Sequence, residues 1–190
     1  YIDIIGGEPF YNKRLIELLN WLKNEGHSKH MTMYITSNGM FYNEKLVELL
    51  KSFKDVVLII SLDGIGKVHE YIRPGCDFNL VENNITKFRD DGINVLVQST
   101  ISLLNVLHLT KLDDWCSERK IHNPQKHIVY EPKELHPRNL PNALKKLVPK
   151  NYQKCIEEDA KDDYKDFISK LDQYWKTDIK NFMPEWEGYL

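Results

Sequence analysis

Two glycines, a carboxylate and a proline follow the first apolar run of the sequence. The run covers residues 1–5, and Gly6, Gly7, Glu8 and Pro9 come directly after it. A short apolar run bounded by glycine and proline is typical of a buried strand, and successive glycines let a ligand approach the main chain closely. Glu8 would then lie at the end of a strand, where open α/β sheets and barrels bind ligands. The glycine carbonyls and Glu8 are suited to accept hydrogen bonds from an ammonium group.

Polar side chains also end the four other strands that the sequence predicts. In chain order they are Ser37 and Asn38, Ser61 and Asp63, Gln98 and Ser99, and Tyr130. Because the carboxyl ends of parallel strands lie along one edge of a sheet, we expect these residues at the same edge as Glu8. Ser61 or Asp63 would bind ribose hydroxyls there, and Arg73 would form a two-pronged ion pair with a carboxylate. This set of residues suits a zwitterionic ligand with several hydroxyl groups.

Predicted strands and helices alternate over residues 1–131, which indicates an α/β fold with a parallel sheet. Apolar runs predict strands at residues 1–5, 31–36, 56–62, 93–101 and 127–130. Apolar residues at helical spacing predict helices that begin after Asn12, Asn43 and Asn79, and a fourth helix over residues 109–119. Because the alternation implies right-handed crossovers, we expect the helices to connect neighbouring parallel strands.

Residues 132–190 have a different pattern and predict a mainly helical extension. Prolines at positions 132, 137, 141 and 149 interrupt its first part. An amphipathic helix follows, and its apolar stripe, which we expect to pack into a core, is formed by Tyr164, Phe167, Ile168, Leu171, Tyr174 and Trp175. The sequence therefore predicts a barrel core over residues 1–131 and a C-terminal extension over residues 132–190.

The composition favours a globular protein of a reducing compartment. Of the 190 residues, 42% are hydrophobic and 28% are charged, and the formal net charge is −2, so a basic surface for nucleic acid is not indicated. No apolar run approaches the roughly 20 residues of a membrane span. Cys76, Cys116 and Cys155 are odd in number and lie far apart in the sequence, which favours free thiols. We therefore expect a cytoplasmic protein without nucleic-acid or membrane partners.

Four strand-end motifs resemble those of the radical S-adenosylmethionine (SAM) superfamily. The GGEP of residues 6–9 is similar to the family motif that binds the amino group of the cofactor methionine. The TSNG of residues 36–39 and the SLDG of residues 61–64 resemble the endings of its next two strands. His69, Glu70 and Arg73 begin a segment similar to the pattern H-[DE]-x-x-R-x-G-x-x-F, found in the subgroup with twitch-like or SPASM-like C-terminal regions.

This resemblance implies a radical SAM-type partial TIM barrel, which is a partial parallel (β/α) barrel, with the first barrel strand missing from this chain. It also implies SAM as the small-molecule cofactor and, by subgroup, a peptide or protein as the substrate. The expected cofactor-binding residues are Gly6, Gly7, Glu8, Pro9, Ser37, Asn38, Ser61, Asp63, Arg73, Gln98, Ser99 and Tyr130.

The family also carries a [4Fe–4S] cluster, held by the cysteines of a CxxxCxxC loop after the first strand. The cluster supports reductive cleavage of SAM to a 5′-deoxyadenosyl radical. That loop is absent from this sequence, and Cys76, Cys116 and Cys155 do not reproduce its spacing. We therefore expect the loop to precede Tyr1 in a longer protein, and we expect this chain alone to assemble no cluster and to be inactive.

Two other functions remain open on the residues alone. A metal-dependent barrel hydrolase or aldolase would use Glu8, Asp63, Glu131 and a histidine, but the seven histidines show neither HxH nor HExxH spacing. A degenerate barrel that binds a ligand without catalysis is the second alternative.

In each case the first strand would present an open edge, and such edges pair with other chains, so we expect a homo-oligomer.

Overall fold

Five strands form a single sheet in the computed structural model, which describes residues 1–160 and 163–190. The strands are β1 (Ile2–Ile4), β2 (Thr32–Ser37), β3 (Asp55–Ser61), β4 (Asn94–Ile101) and β5 (His122–Ile128). Their order in the sheet is β1-β2-β3-β4-β5, so each strand lies beside its neighbours in sequence. Strands β1 to β4 pair in parallel, with Met33 opposite both Ile2 and Val56. The predicted α/β fold with a parallel sheet is confirmed.

Each connection between consecutive strands contains at least one helix, and among the described residues two more helices follow β5. They are α1 (Lys13–Asn24), α2 (Glu44–Leu50), α3 (Lys67–Ile72), α4 (Phe78–Asp90), α5 (Leu109–Glu118), α6 (Asn142–Lys145) and α7 (Lys165–Trp175). Short 3₁₀ turns lie at Pro9–Tyr11, His27–His30, Lys133–Leu135, Pro137–Asn139, Lys150–Ile156, Ile179–Asn181 and Pro184–Trp186. Among the described residues, no helix is long and apolar enough to cross a membrane.

The predicted caps of the first two helices are correct, and that of α4 is wrong. Asn12 and Asn43 cap α1 and α2 through their side-chain oxygens. Helix α4 is capped by Asp77, whose carboxylate accepts a hydrogen bond from the Leu80 amide at 3.2 Å, and Asn79 lies inside the helix. The earlier start places the apolar Phe78 in the first turn, where it is buried.

Two further elements differ from the sequence prediction. Strand β5 covers His122–Ile128 rather than residues 127–130. Helix α3, at Lys67–Ile72, is not among the helices that the sequence predicts. Both segments lack the clear apolar periodicity on which the prediction depends.

The chain folds as two compact units that interleave along the sequence. The first unit comprises Tyr1–Leu62, Asp77–Gln98 and Lys120–Pro124, and the second comprises Asp63–Cys76, Ser99–Arg119 and Gln125–Leu190. The first unit has a core of strand and helix side chains that includes Met33, Leu58 and Phe88. The second has its own core, which includes Tyr71 and Trp186. The predicted boundary at residue 131 stays a prediction.

Helix α7 packs with only part of its predicted stripe. Ile168 is completely buried, and Phe167, Leu171 and Trp175 are partly buried. Tyr174 is exposed over 83% of its surface, so the prediction that the whole stripe enters a core is wrong at this residue. Because α7 has only three turns, one face cannot bury six large side chains.

The open edge of β1 predicts self-association. This strand pairs with β2 and is the outermost strand of the sheet, and Ile5 beside it is 75% exposed. Unpaired edges next to apolar side chains favour pairing with a second copy, so we expect light scattering to show dimers as the concentration rises. Ile5→Lys should shift this equilibrium towards monomer, and Leu147→Lys, at a position of the second unit that is 61% exposed, should not. A strictly monomeric wild-type chain would contradict the prediction.

Candidate cofactor site

Hydrogen bonds from the end of β2 hold Glu8 at the end of β1. One carboxylate oxygen of Glu8 accepts from the Ser37 hydroxyl at 2.9 Å and from the Phe10 amide at 3.3 Å. The other oxygen accepts from the Asn38 amide at 2.8 Å. These bonds use three of about four acceptor positions of a carboxylate. Among the contacts of the described residues, one position of Glu8 is therefore left for an N–H group of a ligand.

Gly6 and Gly7 leave open space beside this carboxylate. Their φ angles are 93° and 59°, in the left-handed region that glycine adopts without strain. A Cβ atom built on either residue would meet no atom within 4 Å, so a ligand can approach the main chain there. Pro9 is buried at the start of a 3₁₀ turn that Glu8 caps. The burial of Pro9 argues against a direct ligand contact, and its predicted cofactor contact stays a prediction.

A second polar group surrounds Asp63, just after β3. One carboxylate oxygen accepts from Nε of Arg73 at 2.8 Å, and the other accepts from the Thr100 amide at 2.7 Å. Asp63 is only 4% exposed, and this burial argues against the open ribose contact that we expected, which stays a prediction. The Arg73 side chain is 34% exposed and can reach a ligand from this buried anchor.

The other predicted site residues differ in their access to ligands. Ser61 and Gln98 are paired across β3 and β4 and are partly exposed. Ser99 is buried on the opposite face of β4 from Gln98, and this burial argues against a ligand contact. Tyr130 follows β5 and is 84% exposed. The cofactor contacts of Ser61, Gln98 and Tyr130 stay predictions.

The model of one protein family, described as the radical SAM superfamily, matches residues 1–115. The chain belongs to the radical SAM superfamily. The match includes the Glu8 group and the Asp63–Arg73 group, which were described above from their geometry. Among curated proteins, none matches this sequence.

Solved radical SAM structures share the fold of this chain. The protein anSMEcpe, with bound AdoMet and the peptide Cp18Cys, is 19% identical at a TM-score of 0.54 over 66% of this chain and 37% of its own. SuiB of Streptococcus suis, bound to S-adenosylmethionine, is 18% identical at a TM-score of 0.57 over 97% of this chain and 37% of its own. A domain of pyruvate-formate lyase-activating enzyme from Bacteroides vulgatus is 14% identical at a TM-score of 0.52 over 70% of this chain and 81% of its own.

These likenesses establish the partial parallel (β/α) barrel as the fold. The chain spans little more than a third of the length of anSMEcpe and of SuiB. The twitch-like or SPASM-like subgroup stays a prediction.

The cysteines of this chain do not fit the family's iron–sulfur cluster. Such a cluster needs several thiolates around one site. Cys76 lies against His69, with Sγ 3.3 Å from Nε2, and Cys116 is buried. Over residues 1–160 and 163–190, no group of three or more His, Cys, Asp or Glu side chains could hold a metal ion. The same finding gives no support to the metal-dependent hydrolase or aldolase alternative.

Reasoning from sequence missed three residues that hold these groups in place. His69 accepts a hydrogen bond from the Asp63 amide at 3.3 Å through Nδ1. Asn84 of α4 donates to the Gly39 carbonyl at 3.0 Å and so fixes the turn that follows Asn38. Asn105 donates to the Asp63 carbonyl at 2.9 Å. Their residue types give no local signal that identifies these partners.

The buried imidazole of His69 predicts a loss of stability in acid. Burial first, and the Arg73 guanidinium second, lower the pKa of His69 from 6.5 to about 4. Between these two pH values the unfolded chain binds the proton more strongly, so the stabilisation is complete above about pH 6.5 and is lost as pH falls towards 4. At about 1.4 kcal/mol per pH unit, the loss approaches roughly 3 kcal/mol.

Urea unfolding at pH 7 and at pH 4.5 measures this loss. His69→Gln should lose less stability over this interval than the wild-type chain, because glutamine does not titrate. His122→Gln, which changes an exposed histidine, should lose as much as wild type. Equal pH dependence of the wild type and His69→Gln would contradict the assignment.

Proposed function

We propose that this chain is the SAM-binding part of a radical SAM enzyme, and that Glu8 accepts a hydrogen bond from the amino group of the cofactor methionine. The observation that carries the proposal is the Glu8 carboxylate, which Ser37 and Asn38 hold at a strand end with one acceptor position to spare. Gly6 and Gly7 leave the space for a ligand beside it. Membership of the family supports SAM as that ligand.

The charges of SAM suit the Glu8 group. The bonds to Glu8 come from a neutral hydroxyl and from backbone amides, so none of them brings a full positive charge to the carboxylate. SAM carries a cationic ammonium group and a cationic sulfonium, and charge-assisted hydrogen bonds are about twice as strong as neutral ones. A ligand with an ammonium group would therefore be favoured over a neutral or anionic one.

Arg73 is proposed as a contact for a carboxylate, on the evidence of its own surroundings. Its Nε is fixed by Asp63 at 2.8 Å, and a third of the side chain is accessible. A guanidinium anchored in this way presents its remaining N–H groups in a fixed direction, which favours the planar geometry of a carboxylate.

We also propose that the complete enzyme modifies a peptide. Two of the similar structures contain a peptide, which is Cp18Cys with anSMEcpe and the precursor peptide SuiA with SuiB. The proposed part of this chain is to bind and orient SAM.

Calorimetric titration of the purified chain with SAM tests the proposed function. We expect saturable binding of one SAM molecule per chain, and much weaker binding of ATP, which has an adenosine but no ammonium group. Absence of saturable SAM binding would overturn the proposal. Equal binding of SAM and ATP would also overturn it and would favour a barrel that binds nucleotides without catalysis.

A further inference from the structure

Asn105 connects the residue that follows β3 with the end of β4. It is completely buried in the loop that follows β4. Its Nδ2 donates to the Asp63 carbonyl at 2.9 Å and to the Thr100 carbonyl at 2.8 Å. Its Oδ1 accepts from the Ser102 amide at 2.8 Å. One side chain thus forms hydrogen bonds with two carbonyl groups and one amide.

These bonds continue from Asn105 to Arg73. The Thr100 carbonyl is bonded to Asn105, and the Thr100 amide donates to the Asp63 carboxylate at 2.7 Å. The other oxygen of that carboxylate accepts from Nε of Arg73 at 2.8 Å. Asn105 therefore holds the main chain of Asp63 by a direct hydrogen bond. It also holds the Asp63 carboxylate indirectly, through Thr100.

Only an amide of this length fits the position. Two carbonyl oxygens require two N–H donors, and the Ser102 amide requires an acceptor on the same side chain. An aspartate would present a carboxylate to both carbonyl groups, and an alanine would remove all three hydrogen bonds. Buried polar groups that lose their partners are costly, so the local main chain would move to find new ones.

We propose that Asn105 is a positioning residue, which sets the direction of the Arg73 guanidinium through Asp63 and thereby the affinity of Arg73 for a carboxylate ligand. The inference rests on the proposed function, since it takes Arg73 as a carboxylate contact. Asn105 itself is buried and acts through Asp63 and Thr100.

Asn139 offers a matched control in the same unit. It is also buried, and its Nδ2 donates to the carbonyl groups of Lys133 and Glu134 at 2.9 Å and 3.3 Å. In both asparagines, Nδ2 donates hydrogen bonds to two main-chain carbonyl groups. If Asn105 only stabilises the fold, replacing either asparagine should lower the stability and leave SAM binding unchanged. If Asn105 positions Arg73, only its replacement should weaken SAM binding.

Calorimetry with SAM distinguishes the two roles. Asn105→Ala and Asn105→Asp should weaken SAM binding by about fivefold to tenfold, which corresponds to the loss of about one buried hydrogen bond. Asn139→Ala should lower the stability to urea by a similar amount and leave SAM binding unchanged. Unchanged SAM binding in both Asn105 variants, with folding intact, would overturn the inference.

The NMR signal of the Arg73 Nε–H group gives a readout that needs no ligand. Asn105→Ala should shift this signal and speed its hydrogen exchange, and Asn139→Ala should leave it unchanged. If the wild-type chain binds no SAM, the proposed function fails, and this signal still decides whether Asn105 positions Arg73. An unchanged Arg73 signal in Asn105→Ala would overturn the positioning role.

Discussion

Replacing Glu8 with glutamine is expected to weaken SAM binding by roughly ten- to hundredfold. A hydrogen bond to a charged group contributes about 1.5–3 kcal/mol, and the substitution removes the charge that would attract the ammonium group. Glutamine also has one acceptor oxygen, whereas the two oxygens of Glu8 accept from Ser37 and Asn38 separately. Its amide nitrogen would face one of these donors, so the side chain would turn away from its present position.

Two further variants show whether the loss belongs to the Glu8 group. Ser37→Ala removes the 2.9 Å hydrogen bond from the hydroxyl but keeps the charge of Glu8, so we expect a smaller loss of affinity, about fivefold. Glu17→Gln removes the charge of an exposed residue of α1 in the same unit and should leave the affinity unchanged. Calorimetry of the three variants ranks their losses of SAM affinity, and urea unfolding verifies that each variant is folded. Wild-type affinity in Glu8→Gln would contradict the assignment of Glu8.

The strand ends were predictable because the signals for parallel strands are local. Apolar runs followed by glycine or polar residues mark where a strand stops, and neighbouring parallel strands stop at the same edge. This reasoning led from the sequence to Glu8, Ser37 and Asn38 as neighbours, and the structure joins them by hydrogen bonds. It required no knowledge of side-chain packing.

The misplaced elements have weak local signals. Strand β5 reads HNPQKHI, with a proline and few apolar residues, and such a strand is tolerated only because β5 lies at the edge of the sheet. Helix α3 has six residues, too few to show a helical stripe. The secondary structure of β5 and α3 therefore depends on where each segment lies in the fold, and the sequence pattern does not show that.

The roles of Asp63 and Asn105 depended on partners distant in sequence. From the sequence, Asp63 is predicted to be an open carboxylate, but it is only 4% exposed and accepts hydrogen bonds from Arg73 and Thr100. Asn105 reads as an ordinary loop residue, although it bonds to carbonyl groups 42 and 5 residues away. A sequence shows which groups need partners, and only the fold shows which partner satisfies each one.

Replacing Asp63 with alanine is expected to destabilise the chain by about 2–4 kcal/mol. The substitution leaves the Thr100 amide without its acceptor and removes the buried partner of Arg73, and breaking a buried pair in this way is strongly destabilising. This loss of stability is smaller than that expected for a fully buried ion pair, because water can reach Arg73. Urea unfolding at pH 7 measures the change. Asp166→Ala, which breaks an equally close but exposed pair with Lys170, should change the stability little.

A double-mutant cycle separates the ion pair from the fold around it. Arg73→Ala should also destabilise the chain, because it leaves the buried Asp63 carboxylate with the Thr100 amide as its remaining hydrogen-bond donor among the described contacts. The double variant should lose less stability than the sum of the two single variants, by about 1–3 kcal/mol, since neither charge is left without its partner. Additive losses would show that Asp63 and Arg73 act independently, and the anchored guanidinium proposed for carboxylate recognition would then have no energetic basis.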